Sequence, residues 1–97
     1  MISIDTGPDG VVAISGRLDA AQSPAALEAL ERTAGQIVLD CGGLEYISSA
    51  GLGVLLKTQK RLMTGGGRMR LTHVRPHIRD ILQYSGFDKI LEIESAQ

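Results

Sequence analysis

Ile2 and Ile4 alternate with Ser3 and Asp5, the period of a half-buried strand. Gly7-Pro8-Asp9-Gly10 is dense turn chemistry, and Val11-Val12-Ala13-Ile14 resumes an extended pattern, so the first two strands are expected to form a hairpin. Gly16-Arg17-Leu18-Asp19 leads out of it. Ser23-Pro24 reads as an N-cap and a first helical residue, where the missing proline N–H is no loss. Ala26, Leu27 and Leu30 share one face of that helix, and Gly35 is its expected stop. Ile37-Val38-Leu39 is an unbroken apolar run, the pattern of a strand covered on both faces, with Asp40 as a turn residue after it. Leu52, Leu55, Leu56, Leu62 and Met63 keep helical spacing, with Lys57, Lys60 and Arg61 on the outside. This helix is expected to start at Ser49 or Ala50 and to end at Gly65-Gly66-Gly67. Met69 and Leu71 mark a strand. Pro76 opens a third helix, with Ile78, Ile81 and Leu82 inward and Gly86 as its C′ residue. Ile90, Leu91 and Ile93 form a last short strand.

The order is strand, strand, helix, strand, helix, strand, helix, strand. Alternation of this kind predicts an α/β fold: a mixed, mostly parallel sheet of four to five strands with an N-terminal hairpin and three or more helices. Only the first pairing should be antiparallel. Asp19 follows one strand and Ser48-Ser49 follow the next, so parallel pairing would bring both loops to the carboxyl edge of the sheet.

The chain has 97 residues, the size of one domain spanning 1–97, and its 43% hydrophobic content suits a packed core. A net charge of −1, with no Trp, two Tyr and one Phe, argues against direct nucleic-acid binding. Cys41 is the only cysteine, which excludes an internal disulfide and suits a reducing compartment. No segment approaches about 20 apolar residues. A cytoplasmic protein without membrane insertion is therefore expected.

Candidate chemistry lies in Tyr46-Ile47-Ser48-Ser49-Ala50-Gly51-Leu52-Gly53-Val54-Leu55-Leu56. Two hydroxyls directly precede an amphipathic helix whose first N–H groups lack internal partners and carry partial positive charge. A serine there caps the helix, or carries a phosphate that the helix end helps to hold. Gly51 and Gly53 each cost about 1 kcal/mol relative to Ala inside a helix. They imply either close packing on the sheet or close approach by another surface. Asp19 is either a turn residue or a contact beside the phosphoacceptor. Cys41 reads as a small, partly buried residue. His73 and His77 are separated by Pro76 and do not share a helix face, so no metal pair is expected. Gly65-Gly66-Gly67 lacks the Lys-Ser/Thr ending of a phosphate-binding loop, and no cofactor is expected.

Together the Gly16-Arg17-Leu18-Asp19 step, the Ile37-Val38-Leu39-Asp40 strand, the Tyr46 to Leu56 segment and the Ser85-Gly86-Phe87 turn resemble a STAS domain of the anti-sigma factor antagonist (anti-anti-sigma factor) family, over nearly the whole chain. Members typically read Asp-Ser-Ser-Gly-Leu-Gly or Asp-Ser-Ala-Gly-Leu-Gly, with phosphorylation of the serine after the acid. The matching position is Ser49, and Ser48 replaces the acid. The resemblance implies a bacterial phosphoprotein that regulates transcription by partner switching. Unphosphorylated, it binds an anti-sigma factor serine kinase. Phosphorylation of Ser49 from ATP ends that binding, and a serine phosphatase restores it. The implied docking residues are Asp19, Ser48, Ser49, Ala50, Gly51, Leu52, Gly53 and Lys57, with Lys60 and Arg61 extending the surface toward an acidic partner. The protein is then a substrate, not an enzyme, and is expected to be a monomer or weak dimer. Similar domains often continue into another helix, so one flank of the sheet is expected to be less covered here.

Two other readings use the same residues. A STAS scaffold or accessory subunit of a signalling complex or transporter would dock through the same helix without a sigma-factor role. An enzyme with Ser49 as nucleophile would need a base and an orienting group beside it, and the Gly-x-Ser-x-Gly pattern is absent.

Overall fold

The computed structural model describes residues 2–95. Strands β1 (Ile2–Thr6) and β2 (Val11–Leu18) form the expected antiparallel hairpin across a turn at Pro8–Gly10. Then follow α1 (Ser23–Leu30), β3 (Gln36–Ile47), α2 (Ser49–Thr64), β4 (Arg68–Val74), α3 (Pro76–Tyr84), a short turn of helix at Phe87–Lys89, and β5 (Glu92–Ser95). The sheet order is β1-β2-β3-β4-β5, with β2, β3, β4 and β5 parallel.

That monotonic order decides the shape of the molecule. Each parallel step is a strand–helix–strand crossover, and all three steps go the same way across the sheet. Right-handed crossovers taken in one direction place every helix on one face. Burial alternates accordingly. Val12, Ile14 and Leu18 of β2, Ile37 and Leu39 of β3 and Met69 and Leu71 of β4 are buried, whereas Val11, Ala13, Ser15 and Arg17 are exposed. The other face of the sheet is open. It carries Arg70 beside Glu92 and Glu94 at 3.8 and 3.2 Å, and Asp40 beside His73 at 3.3 Å. The Ile37-Val38-Leu39 run is thus not enclosed on both sides, since Val38 faces the open side and is half-buried.

β3 runs much further than the apolar run indicates. Its pairing with β2 advances Ala13↔Asp40, Ser15↔Gly43, Gly16↔Leu44 and Arg17↔Tyr46, so β3 absorbs two extra residues as bulges. Asp40 lies within this strand, though its Oδ1 does accept the Gly42 N–H at 3.0 Å. Pairing between β3 and β4 stops at Asp40↔Thr72. Beyond that point two side chains serve the β3 carbonyls: Arg75 Nε donates to Gly42 O at 2.9 Å, and His77 Nε2 lies 2.8 Å from Glu45 O.

Several boundaries move for local reasons. Gln22, not Ser23, is the N-cap of α1, and the helix ends at Leu30 before Gly35. Arg61 closes that end by donating from Nη2 to Leu30 O at 2.8 Å and to Thr33 Oγ1 at 3.3 Å, so it is more than a solvated charge. Met63 is half exposed, and the buried face of α2 uses Val54, Thr58 and Gln59 with Leu55 and Leu62. Gln59 ties three elements together: Oε1 accepts from Met69 N at 2.8 Å, and Nε2 donates to Ile90 O at 3.1 Å. Ile90 and Leu91 precede β5, which keeps only Ile93 of the three residues expected in the last strand. Gly86 takes the left-handed conformation (φ 77°) after α3, as expected of a C′ glycine.

The two α2 glycines differ in kind. A Cβ on Gly51 would lie 2.6 Å from Leu18 O, 2.8 Å from Leu18 Cγ and 2.9 Å from Ile47 Cγ1, whereas one on Gly53 would meet nothing within 4 Å. Gly51→Ala is expected to destabilise by about 1–3 kcal/mol through overpacking. Gly53→Ala is expected to stabilise by up to about 1 kcal/mol through helix propensity. Urea denaturation of both variants checks the opposite signs.

Cys41 is fully buried, not partly, and its thiol is pushed up from 9.0 to about 12 by burial, with the Asp40 carboxylate adding. Below pH 9 both folded and unfolded chains keep the thiol proton, so stability is unaffected. Between pH 9 and about 12 only the unfolded chain releases it, so stability falls across that window. A Cys41→Ser or Cys41→Ala variant should lose this alkaline decline. In the wild type, a disulfide reagent at pH 8 should label Cys41 only after denaturant is added.

Candidate functional site

The register pair Leu18↔Ile47 ends β2 and β3 side by side, so the Asp19 and Ser48-Ser49 loops emerge together at the carboxyl edge. The two serines then divide their roles. Ser48 is the N-cap of α2, extended at φ −97° and ψ 176°. Its N–H donates to Leu18 O at 2.9 Å, its hydroxyl donates to the same oxygen at 3.3 Å, and its Oγ accepts from Gly51 N at 3.2 Å. Ser49 is the first residue of the helix and is exposed. Its hydroxyl has no hydrogen bond among the described residues.

A helix start leaves four N–H groups without internal partners. Here the Ser48 N–H is taken by Leu18 O and the Gly51 N–H by Ser48 Oγ. The N–H groups of Ser49 and Ala50 remain without a partner among the described residues. The end of α2 thus presents two free donors and the positive end of its dipole beside an exposed hydroxyl.

Asp19 is half-buried, and its bonds are those of a turn. Its Oδ1 accepts from Gln22 N at 3.0 Å, and its carbonyl accepts from Ser23 N at 3.0 Å and Ser23 Oγ at 2.7 Å. Gly51 is buried against Leu18 and Ile47, which accounts for that glycine by packing. Leu52 is half-buried against the core, while Ala50 and Lys57 are exposed and Gly53 is half-buried.

Gly53 borders a groove that residue patterns do not announce. It runs between the start of α1 and the first turns of α2, with a volume of about 460 Å³ and a lining that includes Ala20, Pro24, Leu27, Ala50, Val54 and Lys57. Small residues on both helices create it. The sequence signal was the unexplained second glycine.

The histidines do not reach this site. His73 pairs with Asp40 and Thr72 on the open sheet face, and His77 holds Glu45 O. Ser49 therefore has neither a base nor an orienting group within hydrogen-bond reach among the described residues. No group of three or more His, Cys, Asp or Glu side chains suited to a metal ion occurs among the described residues, and no described helix is long and apolar enough to cross a membrane.

The family model described as "Mlab, STAS domain" matches residues 4–92. An anti-sigma F factor antagonist from Paenibacillus polymyxa is 35% identical over 88 residues, covering 86% of this chain and 75% of that protein. BtrV of Bordetella bronchiseptica is 40% identical over 62 residues, which is 64% of this chain but only 53% of BtrV, so the match spans about half of that relative. Among solved structures, an anti-sigma factor antagonist from Mycobacterium paratuberculosis overlays with a TM-score of 0.86 at 26% identity, covering 97% of this chain and 86% of that one. The anti-sigma factor antagonist SpoIIAA shares the fold in its unphosphorylated form, with a TM-score of 0.72, 18% identity and 100% and 90% coverage. Its Bacillus phosphorylated form does so with a TM-score of 0.70, 20% identity and 96% and 90% coverage. With a family model spanning nearly all of its strands and helices, the chain belongs to the STAS domain family.

Proposed function

We propose that this protein is an anti-sigma factor antagonist that works by phosphorylation-controlled partner switching at Ser49. The carrying observation is the split between the two serines: Ser48 is committed to the fold, and Ser49 stands exposed beside two unpartnered N–H groups. The unphosphorylated protein docks on an anti-sigma factor serine kinase through Asp19, Ser48, Ser49, Ala50, Gly51, Leu52, Gly53 and Lys57. The kinase transfers the γ-phosphoryl of ATP to the Ser49 hydroxyl, and a serine phosphatase later removes it. The chain is the substrate in both steps.

The physics of the switch follows from where the charge arrives. A phosphate brings about −1.5 to −2 charges and strong acceptor oxygens. Within the protein those oxygens meet the Ser49 and Ala50 N–H groups and the dipole of α2, so the fold tolerates them. Across an interface that had covered a neutral hydroxyl, they become a desolvated dianion next to the Asp19 carboxylate. Such a mismatch costs several kcal/mol, order of magnitude, enough to dissolve a micromolar complex. SpoIIAA, solved in an unphosphorylated and a phosphorylated form, shares this fold in both, with TM-scores of 0.72 and 0.70.

Incubation with a candidate kinase and ATP, followed by peptide mass spectrometry, should place phosphate on Ser49 in the wild type and in Ser48→Ala, and nowhere in Ser49→Ala. Ser48→Ala should instead lose about 1 kcal/mol of stability with the cap. Ser49→Asp should keep its melting temperature and lose kinase binding. Phosphate on Ser48, or undiminished binding by Ser49→Asp, would contradict the assignment; no phosphate on either serine would leave the scaffold reading.

A further inference from the structure

We infer that the groove between α1 and α2 receives a large apolar side chain of the kinase partner, whose neighbouring carboxylate pairs with Lys57. This rests on the partner-switching reading of Ser49 and specifies the chemistry of the partner at that same surface.

The groove is continuous with the phosphoacceptor, because Ala50, the residue after Ser49, forms part of its wall. Its other walls are mainly apolar: Ala20 in the turn before α1, Pro24 in the first turn of that helix, Leu27 one turn on, and Gly53 and Val54 in α2. Gly53 faces open space, so its lack of a side chain serves no packing within this chain; it leaves the groove open at that point. The groove's volume of about 460 Å³ accommodates a side chain together with the backbone that carries it.

The polar groups around the groove select the occupant. Ser23 is spent on the Asp19 carbonyl. Lys57 is exposed at the rim, and among the described residues no carboxylate lies within ion-pair distance of it. A small-molecule site needs several convergent polar groups to orient its ligand, and these are missing. An interface anchor needs an apolar pocket with a charged rim, which is what the helices provide. The unpaired cation calls for a carboxylate on the incoming surface. That carboxylate also sharpens the switch, because it approaches the edge where phosphate on Ser49 adds like charge.

The test measures the affinity of the protein for each anti-sigma factor kinase of its source genome, purified singly, by titration calorimetry. The wild type is compared with Gly53→Leu, Lys57→Glu and Ser49→Asp. Gly53→Leu fills the groove with this chain's own side chain. It should melt at or above the wild-type temperature and bind at least tenfold more weakly. Lys57→Glu should also bind at least tenfold more weakly at low salt, with a smaller deficit at high salt. Wild-type affinity in a folded Gly53→Leu overturns the groove assignment and leaves the phosphoswitch standing if Ser49→Asp has lost binding. Wild-type affinity in Lys57→Glu overturns the carboxylate pairing. Binding that survives Ser49→Asp but not Gly53→Leu supports the groove and removes the switch. Failure of the wild type to bind any of these kinases overturns both.

Discussion

The site depends on one junction, where the carbonyl of Leu18 at the end of β2 accepts the N–H and the hydroxyl of Ser48 at the start of α2. That oxygen holds Ser48 in an extended conformation, which is what makes it a cap and starts the helix at Ser49. The same contact needs Gly51, since no Cβ fits between the helix and Leu18. Sheet edge, cap and glycine are thus a single packing solution. It leaves Ser49 one residue beyond the anchored point, on the outside.

Strand order decides what kind of site this can be. In doubly wound sheets the order reverses, helices cover both faces, and a crevice opens at the reversal for a ligand. Here the order never reverses, so every helix packs on one face and no such crevice forms. The carboxyl edge is a row of helix starts and loops, with the open groove between α1 and α2 beside Ser49. Such a surface suits recognition by another protein better than capture of a metabolite. The open face of the sheet is more polar and partly neutralised, with Arg70 between Glu92 and Glu94.

Much of this was legible in the residues. The hairpin, the alternation of strands and helices, the helix entry at Ser48-Ser49 and the Gly86 cap follow from local chemistry, and local chemistry is retained in the fold. What was not legible depends on distant partners. Asp40 reads as a turn residue after the Ile37-Val38-Leu39 run, yet pairing with β2 carries the strand on through it, with a bulge before Gly43. Gln59 is polar and gives no periodic signal, but its amide is satisfied by Met69 and Ile90, so it is buried. Val38 belongs to an unbroken apolar run, and only the strand order reveals that one side of it is open. Both serines are good caps by type. The choice between them is made by Leu18, thirty residues away.

The central claim is that charge on Ser49 alters a surface without altering the fold. Comparison of backbone amide spectra of the unphosphorylated protein and its Ser49-phosphorylated form tests it most directly. The account predicts shifts confined to the start of α2 and the Asp19 loop, with the Ser49 and Ala50 amides moving furthest and the Gly51 amide keeping its bonded position. Shifts spread through β4, α3 and β5, or loss of slow exchange in the core strands, would contradict it.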